Sequence, residues 1–227
     1  MGTLFIVPTP IGNLEDLSER AAKTIRECDI VACEDTRVSS KLTAHLGVSK
    51  EFVVYSDVRE VANADYLLQK LQAGKNVALV SDAGTPCISD PGFRIVRLCR
   101  KNQINVVPLT GPCAFTTALS ASGLPTNAFL FLGFLPPKTS ARIACFTKYA
   151  NSEHTLIFYE SVHRITKFVD DALEVFGPNR AICIAKELTK MHERFFTGTI
   201  ENVRQELLKS AVKGEFVVII APEGYQI

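Results

Sequence analysis

The sequence predicts an α/β protein built as two α/β lobes, and three observations predict it. Short β-branched runs alternate with longer amphipathic ones along the 227 residues, the rhythm of strands and helices in a mostly parallel sheet. Gly123-Leu124-Pro125-Thr126 breaks that rhythm near the middle, which sets one lobe over residues 1–122 and a second over 123–227. The chain is 47% apolar and 22% charged, the mixture of a folded globular protein and not of a disordered one.

The elements follow in order. Thr3–Pro8 reads as a buried strand. Asp16, with Glu19 completing a capping box, opens a helix to about Cys28. Asp29–Glu34 is a strand, Thr36–Leu46 a helix stopped by Gly47, and Phe52–Tyr55 a strand. Val58–Ala73 is helical and ends at Gly74, Asn76–Ser81 is a strand, and a helix to about Asn102 leads into strand Ile104–Pro108. A helix of small residues, Ala114–Ser122, closes the first lobe. In the second lobe, strands are expected at Phe129–Phe134, Thr155–Glu160, Ala181–Ala185, Phe195–Thr197 and Phe216–Ile220. Helices are expected at Ser140–Ala150, Val162–Phe176 and Ile200–Val212.

Composition narrows the function. With 25 Lys and Arg against 24 Asp and Glu, the formal charge is +1, which excludes a generally basic nucleic-acid coat but not a local basic patch. The seven cysteines are odd in number and contain no C-x-x-C pair. That argues against a zinc site or a disulfide framework and for a reducing, cytoplasmic location. The start, Met1-Gly2-Thr3-Leu4, lacks the basic segment of a signal peptide, and no apolar run is long enough for a membrane span.

Three loops hold more Gly, Pro and small polar residues than turning requires: Thr9-Pro10-Ile11-Gly12-Asn13, Ser81-Asp82-Ala83-Gly84-Thr85-Pro86 and Thr110-Gly111-Pro112-Cys113-Ala114. Each follows a strand, and ligands of open parallel sheets sit at the carboxyl ends of strands. A single such loop is ordinarily just a turn; three in one lobe point to a ligand. Dinucleotide, P-loop and serine-hydrolase motifs are absent, and His45, His154, His163 and His192 have no metal-ligand spacing. Two acid-rich turns stand out, Glu34-Asp35-Thr36-Arg37 and Lys186-Glu187-Leu188-Thr189-Lys190. The first also suits a helix dipole, and the second is either a solvated loop or the rim of a site. Basic residues cluster locally at Arg94, Arg97, Arg100 and Lys101, and at Lys138, Arg142 and Lys148. Each cluster is either a solvated face or a phosphate contact.

Taken together, these motifs resemble a known family. They are Thr9-Pro-Ile-Gly-Asn-Leu-Glu-Asp, Glu34-Asp-Thr-Arg, Ala78-Leu-Val-Ser-Asp-Ala-Gly-Thr-Pro with Asp90-Pro-Gly, and Leu119-Ser-Ala-Ser-Gly-Leu-Pro-Thr. Gly133-Phe-Leu-Pro, Leu156-Ile-Phe-Tyr-Glu-Ser, Lys186-Glu-Leu-Thr-Lys and Lys213-Gly-Glu complete the set, in order along nearly the whole chain. The chain resembles the ribosomal RNA small subunit methyltransferase I family of the tetrapyrrole methylase superfamily. That resemblance implies S-adenosyl-L-methionine as cofactor, held in a cleft between two α/β lobes. It implies methylation of a cytidine ribose 2′-hydroxyl in the decoding region of 16S rRNA, and a homodimer. It places cofactor contacts at Pro10, Gly84, Thr85, Pro86, Ile88, Cys113, Ala114, Phe158, Leu188 and Glu215.

The sequence departs from the family twice. A His-x-His-Asn type segment after the third strand is replaced by Tyr55-Ser56-Asp57-Val58-Arg59-Glu60, and the chain stops at Ile227 where the family carries a helical extension. A ribose hydroxyl is a weak acid, so a base should assist its methylation. By placement the candidates are Glu187 first, then Lys186, Glu34 and Asp35, with Lys186 able to act only if desolvated. Arg37, Lys138, Arg142 and Arg164 are the expected RNA-phosphate ligands. Two other readings stand beside this one: a methyltransferase of a small tetrapyrrole precursor, and a cofactor-binding homologue with reduced catalysis.

Overall fold

Five short strands, β1 (Thr3–Ile6), β2 (Ile30–Cys33), β3 (Glu51–Val54), β4 (Val77–Leu79) and β5 (Asn105–Pro108), pair in parallel in the order β3-β2-β4-β1-β5. All four residues of β2 are buried, because helices cover both faces of this sheet. Ile30 and Ala32 point to one face, where α3 (Glu60–Gln72) and α4 (Phe93–Lys101) contribute Leu67, Leu71, Ile95 and Cys99. Val31 and Cys33 point to the other, against Ala21 and Ile25 of α1 (Glu19–Glu27) and Leu42 of α2 (Thr36–His45). The computed structural model describes residues 1–209 and 214–227. This first sheet and its helices form one compact unit, Met1–Cys113, and Ala114–Ile227 forms another.

The second unit is a mixed sheet in the order β6-β7-β10-β8-β9. Its strands are β6 (Phe129–Phe134), β7 (Thr155–Ser161), β8 (Ala181–Lys186), β9 (Arg194–Thr199) and β10 (Glu215–Ile220), and only β6 and β7 run parallel. One face packs on α6 (Thr139–Lys148), α7 (Ile165–Phe176) and α8 (Ile200–Lys209) through Phe146, Phe168, Val169 and Val203. Helix α5 (Ala114–Ala121), which the sequence grouped with the first lobe, packs against β7 and β10 of this second sheet. Expected helix residues beyond Lys209, including Val212, and Lys213 of the Lys-Gly-Glu motif lie outside the described residues. Among the described residues no helix is long and apolar enough to cross a membrane.

Two expectations are corrected here. Asp16 does not cap α1; it ends a short 3-10 turn, Leu14–Asp16, and Ser18 caps α1 by accepting from the Ala21 amide at 3.1 Å. Arg142 is not a phosphate ligand. It is 1% exposed, in the interior behind α6. Its Nε donates to Asp171 Oδ2 at 2.6 Å, and its other nitrogens donate to the Pro137 carbonyl and the Thr139 hydroxyl. The acid-free sequence around it suggested a surface cation, but its partner arrives from α7, 29 residues away.

A buried ion pair is costly to break from one side, because the remaining charge stays desolvated. Arg142→Ala is expected to lower stability by about 3–5 kcal/mol in urea unfolding. The double replacement Arg142→Met with Asp171→Leu should recover most of that loss.

Candidate active site

The three loops singled out in the first lobe meet at the carboxyl ends of β1, β4 and β5. Thr9 and Gly84 exchange backbone hydrogen bonds of 2.9 and 3.0 Å, an antiparallel bridge beyond the parallel strands. Side chains lock that bridge: the Thr9 hydroxyl donates to the Ser81 carbonyl at 3.0 Å, and the Ser81 hydroxyl to the Gly84 carbonyl at 3.0 Å. Gly84 has φ +88°, in the left-handed region that glycine enters without steric cost. A Cβ there would press on Ile11 and approach the Pro112 carbonyl. Thr85 ties in the third loop, donating its hydroxyl to the Pro112 carbonyl at 2.8 Å. The Ile88 amide returns to the Thr85 carbonyl at 3.3 Å. Of the expected cofactor residues, Pro10, Gly84, Thr85, Pro86, Ile88 and Cys113 therefore belong to one assembly of loops.

Carboxylates flank these strand ends. Glu34 and Asp35 follow β2, Asp57 follows β3, and Asp82 and Asp90 lie in the loop after β4. Burial pushes the Glu34 carboxyl up to about 7, helped by the negative charges of Asp90, Asp82 and Asp57 and opposed by a hydrogen bond from the Asp82 amide. Burial likewise raises Asp90 to about 6, against a hydrogen bond from Ser81. Asp35 is different. Its carboxylate caps α2, accepting from the Arg37 amide at 2.8 Å, and pairs with the Arg37 guanidinium at 2.6 Å. Those bonds hold Asp35 down at about 2. Asp35 and Arg37 thus engage each other, although the Arg37 side chain stays exposed.

In the second unit Glu187 and Glu215 come together at the open end of β8 and β10. The Glu187 amide donates to the Glu215 carbonyl at 3.0 Å, and the Glu215 amide to Glu187 Oε1 at 3.1 Å. Lys190 bridges both carboxylates at 2.9 and 3.0 Å. Burial raises the Glu187 carboxyl, but Lys190, the Glu215 amide and nearby Lys186 outweigh it and hold it below its ordinary value. A carboxylate so committed is a weak base. Its backbone stands at φ +51°, held there by this network. Leu188 is buried beside it, and Lys186 pairs with Phe216 in the ladder. Phe158 is instead a fully buried core residue: its ring meets Phe146 and Phe168, and its backbone lies on β7 between β6 and β10, so it offers no open surface to a ligand. Ala114 starts α5.

Of the expected phosphate ligands, Lys138 is exposed. Arg164 is instead a clamp: it donates to the Leu135 and Pro136 carbonyls at 2.7 and 3.2 Å and pairs with buried Glu160 at 3.2 Å. The segment that replaces the expected histidines serves the first unit's framework. Glu60 accepts from Tyr55 and from the Gly92 and Arg94 amides at 3.2 Å each, capping α4, while the Tyr55 hydroxyl accepts from the Ile95 amide. Sequence reasoning missed Glu60; its signal was an acid three positions after Asp57 with no partner in its own helix. Among the described residues no group of His, Cys, Asp and Glu is arranged to hold a metal ion.

Residues 3–204 match the family described as Tetrapyrrole (Corrin/Porphyrin) Methylases. The chain is 48% identical over 221 residues to the Ribosomal RNA small subunit methyltransferase I of Haemophilus influenzae, covering 96% of this chain and 78% of that one. Among solved structures, the methyltransferase CobJ superposes with a TM-score of 0.73 at 15% identity, covering 100% of this chain and 97% of the other. Uroporphyrin-III C-methyl transferase from Thermus thermophilus, complexed with S-adenyl homocysteine, superposes with a TM-score of 0.66 at 19% identity over 97% of each chain. At those identities the likeness is one of fold.

The raised Glu34 carboxyl has a consequence for stability. A pKa of about 7 in the fold, against an ordinary 4.5, means the folded state binds this proton more tightly. The stabilisation is complete below about pH 4.5 and is lost as pH rises through about 7. Glu34→Gln mimics the protonated form and keeps an acceptor for the Asp82 amide. Its melting temperature is expected above that of the wild type at pH 8, with the difference closing toward pH 4.5; a pH-independent offset would contradict the assignment.

Proposed function

We propose a function from one premise: the chain belongs to the tetrapyrrole (corrin/porphyrin) methylase family. It is an S-adenosyl-L-methionine-dependent methyltransferase acting on small-subunit ribosomal RNA. The finer reading is methylation of a cytidine ribose 2′-hydroxyl in the decoding region of 16S rRNA, by a homodimer in the cytoplasm. Its seven free thiols suit a reducing compartment.

The observation that carries the reading is the convergence of the three strand-end loops on Gly84 and Thr85. Small residues there leave backbone groups open to a ligand. The adjoining carboxylates Asp82 and Asp90 match in sign a donor that is cationic at sulfur. Pro10, Gly84, Thr85, Pro86, Ile88 and Cys113 would hold S-adenosylmethionine from the first unit. When bound, the cofactor supplies an electrophilic methyl group on a sulfonium.

The protein's own task is to orient the ribose oxygen and receive its proton. Glu34 is the carboxylate suited to this, because at about 7 it is both substantially ionised at neutral pH and basic enough to accept a proton. Glu187 and Asp35 are held by cations. The Glu34 carboxylate would receive the hydroxyl proton of the ribose, and the cofactor, when bound, would supply the methyl group that replaces it. Arg37 and Lys138 are the proposed phosphate contacts.

Transfer of labelled methyl groups from S-adenosylmethionine to 30S subunits, free rRNA and porphyrin precursors tests the reading. Label is expected in the ribosomal substrates, and incorporation into porphyrin precursors alone would overturn it. With 30S subunits, kcat/KM should rise with pH through about 7 as Glu34 ionises. Glu34→Gln should lower kcat by about a hundredfold or more and flatten that limb, while calorimetric affinity for S-adenosylmethionine is kept.

A further inference from the structure

We propose that the edge strand β6 carries a base-stacking platform, centred on Phe134, for an unpaired nucleotide of the RNA substrate. The inference rests on the rRNA reading above and concerns a surface of the second unit alone. Along β6, Leu130 and Leu132 point into the core with α6 and α7, while Phe129 and Phe131 point away from it. Regular alternation would then send Phe134 into the core. It does not go there, because the β6–β7 register slips between Phe131 and Gly133. Gly133 occupies the left-handed region at φ +62°, and the extra residue turns Phe134 onto the face of Phe131 and Tyr159. Bulges re-aim side chains in this way and recur beside functional sites.

The result is a continuous aromatic row. Phe115 of α5 stacks on Phe131 with centroids 4.5 Å apart and lies 6.0 Å from Phe129. Tyr159 stands edge-on to Phe131 at 4.9 Å and to Phe134 at 5.6 Å. Tyr159 is itself fixed, accepting from the Phe115 amide at 3.2 Å. The row ends in Phe134, which is 57% exposed. The segment that follows is rigid: Arg164 grips the Leu135 and Pro136 carbonyls, and Arg142 the Pro137 carbonyl and Thr139 hydroxyl.

Charge selects the occupant. From Ala114 to Ser152 the chain contains no Asp or Glu, and Lys138 stands exposed on the clamped segment four residues from Phe134. Glu160, the acid nearest in sequence to Tyr159, is buried and paired with Arg164. A phosphate chain approaching Phe134 therefore meets a cation and no carboxylate from this stretch. An aromatic face beside a cation on a fixed loop is the arrangement that binds single-stranded nucleic acid, where each base stacks whatever its sequence.

The test compares wild type, Phe134→Ala, Phe134→Trp and Lys138→Ala, with methyl transfer to 30S subunits, calorimetry with S-adenosylmethionine, and sedimentation. Wild-type transfer to 30S subunits is the control for the rRNA reading itself; without it that reading fails, whatever the variants do. Given transfer, Phe134→Ala should raise KM for 30S subunits about tenfold, with kcat and S-adenosylmethionine affinity unchanged, and Phe134→Trp should restore the wild-type KM. Lys138→Ala should reduce the salt dependence of 30S binding. An unchanged KM in Phe134→Ala overturns the proposal. So does a shift of that variant to a smaller sedimenting species, which would assign the aromatic row to contact between copies of the chain.

Discussion

The Thr9–Gly84 bridge is the constraint on which the first unit's loops depend. β1 and β4 run parallel, yet the residues just beyond them pair antiparallel. The chain after β4 must therefore turn back within a few residues, and the positive φ of Gly84 makes that reversal sterically free. Once Gly84 faces Thr9, the Ser81 and Thr9 hydroxyls find carbonyls within the turn. Thr85 is then set to reach the Pro112 carbonyl across from β5. Three turns that would otherwise be independent are cross-linked by polar contacts, with Ile11 packed against Gly84 and Pro8 against Gly111.

Much of this was legible in sequence. Each of the ten strands and eight helices among the described residues has a counterpart in the alternation of β-branched and amphipathic runs, a period that the parallel first sheet imposes through the helices on both its faces and that gave no sign that the second sheet is mostly antiparallel. The three loops were legible because Gly and Pro at strand ends are local signals. Long-range partnership was not. Arg142 reads as a surface cation because its own stretch is acid-free, and only the packing of α6 on α7 brings Asp171 to it. Glu34 and Glu187 look alike as acids beside a strand end, but their chemistry diverges through neighbours distant in sequence. Burial, helped by three carboxylates from two other strand ends, raises the first, whereas Lys190 and the Glu215 amide hold the second down. Placement alone put Glu187 ahead of Glu34; their surroundings raise the Glu34 carboxyl and lower that of Glu187, a difference invisible in sequence.

The same distinction explains why basic residues were harder to interpret than loops. Of four expected phosphate ligands, Arg142 is enclosed and Arg164 is spent on carbonyls and Glu160. Arginine's planar fork lets it satisfy several carbonyl acceptors at once, and that makes it a clamp for irregular backbone such as the Leu135-Pro136-Pro137 turn. Two prolines leave that turn with fewer amides to hold itself, so the guanidinium groups replace the missing hydrogen-bond ladder. A cation in sequence is as readily a structural device as a binding one, and only its geometry separates the two.

The formal charge of +1 hides a segregation of charge. In the first unit, carboxylates gather where β2, β3 and β4 end, and burial, helped by their mutual repulsion, lifts Glu34 to about 7 and Asp90 to about 6. In the second, the stretch from Ala114 to Ser152 has no acid at all. Acids that suit a cationic donor and a proton acceptor repel phosphate, so the two tasks of an RNA methyltransferase conflict if performed by the same residues. At physiological salt, screening over about 8 Å limits the reach of each exposed charge, so a chain close to neutral as a whole can carry an acid-rich set of strand ends in one unit and an acid-free, aromatic stretch in the other.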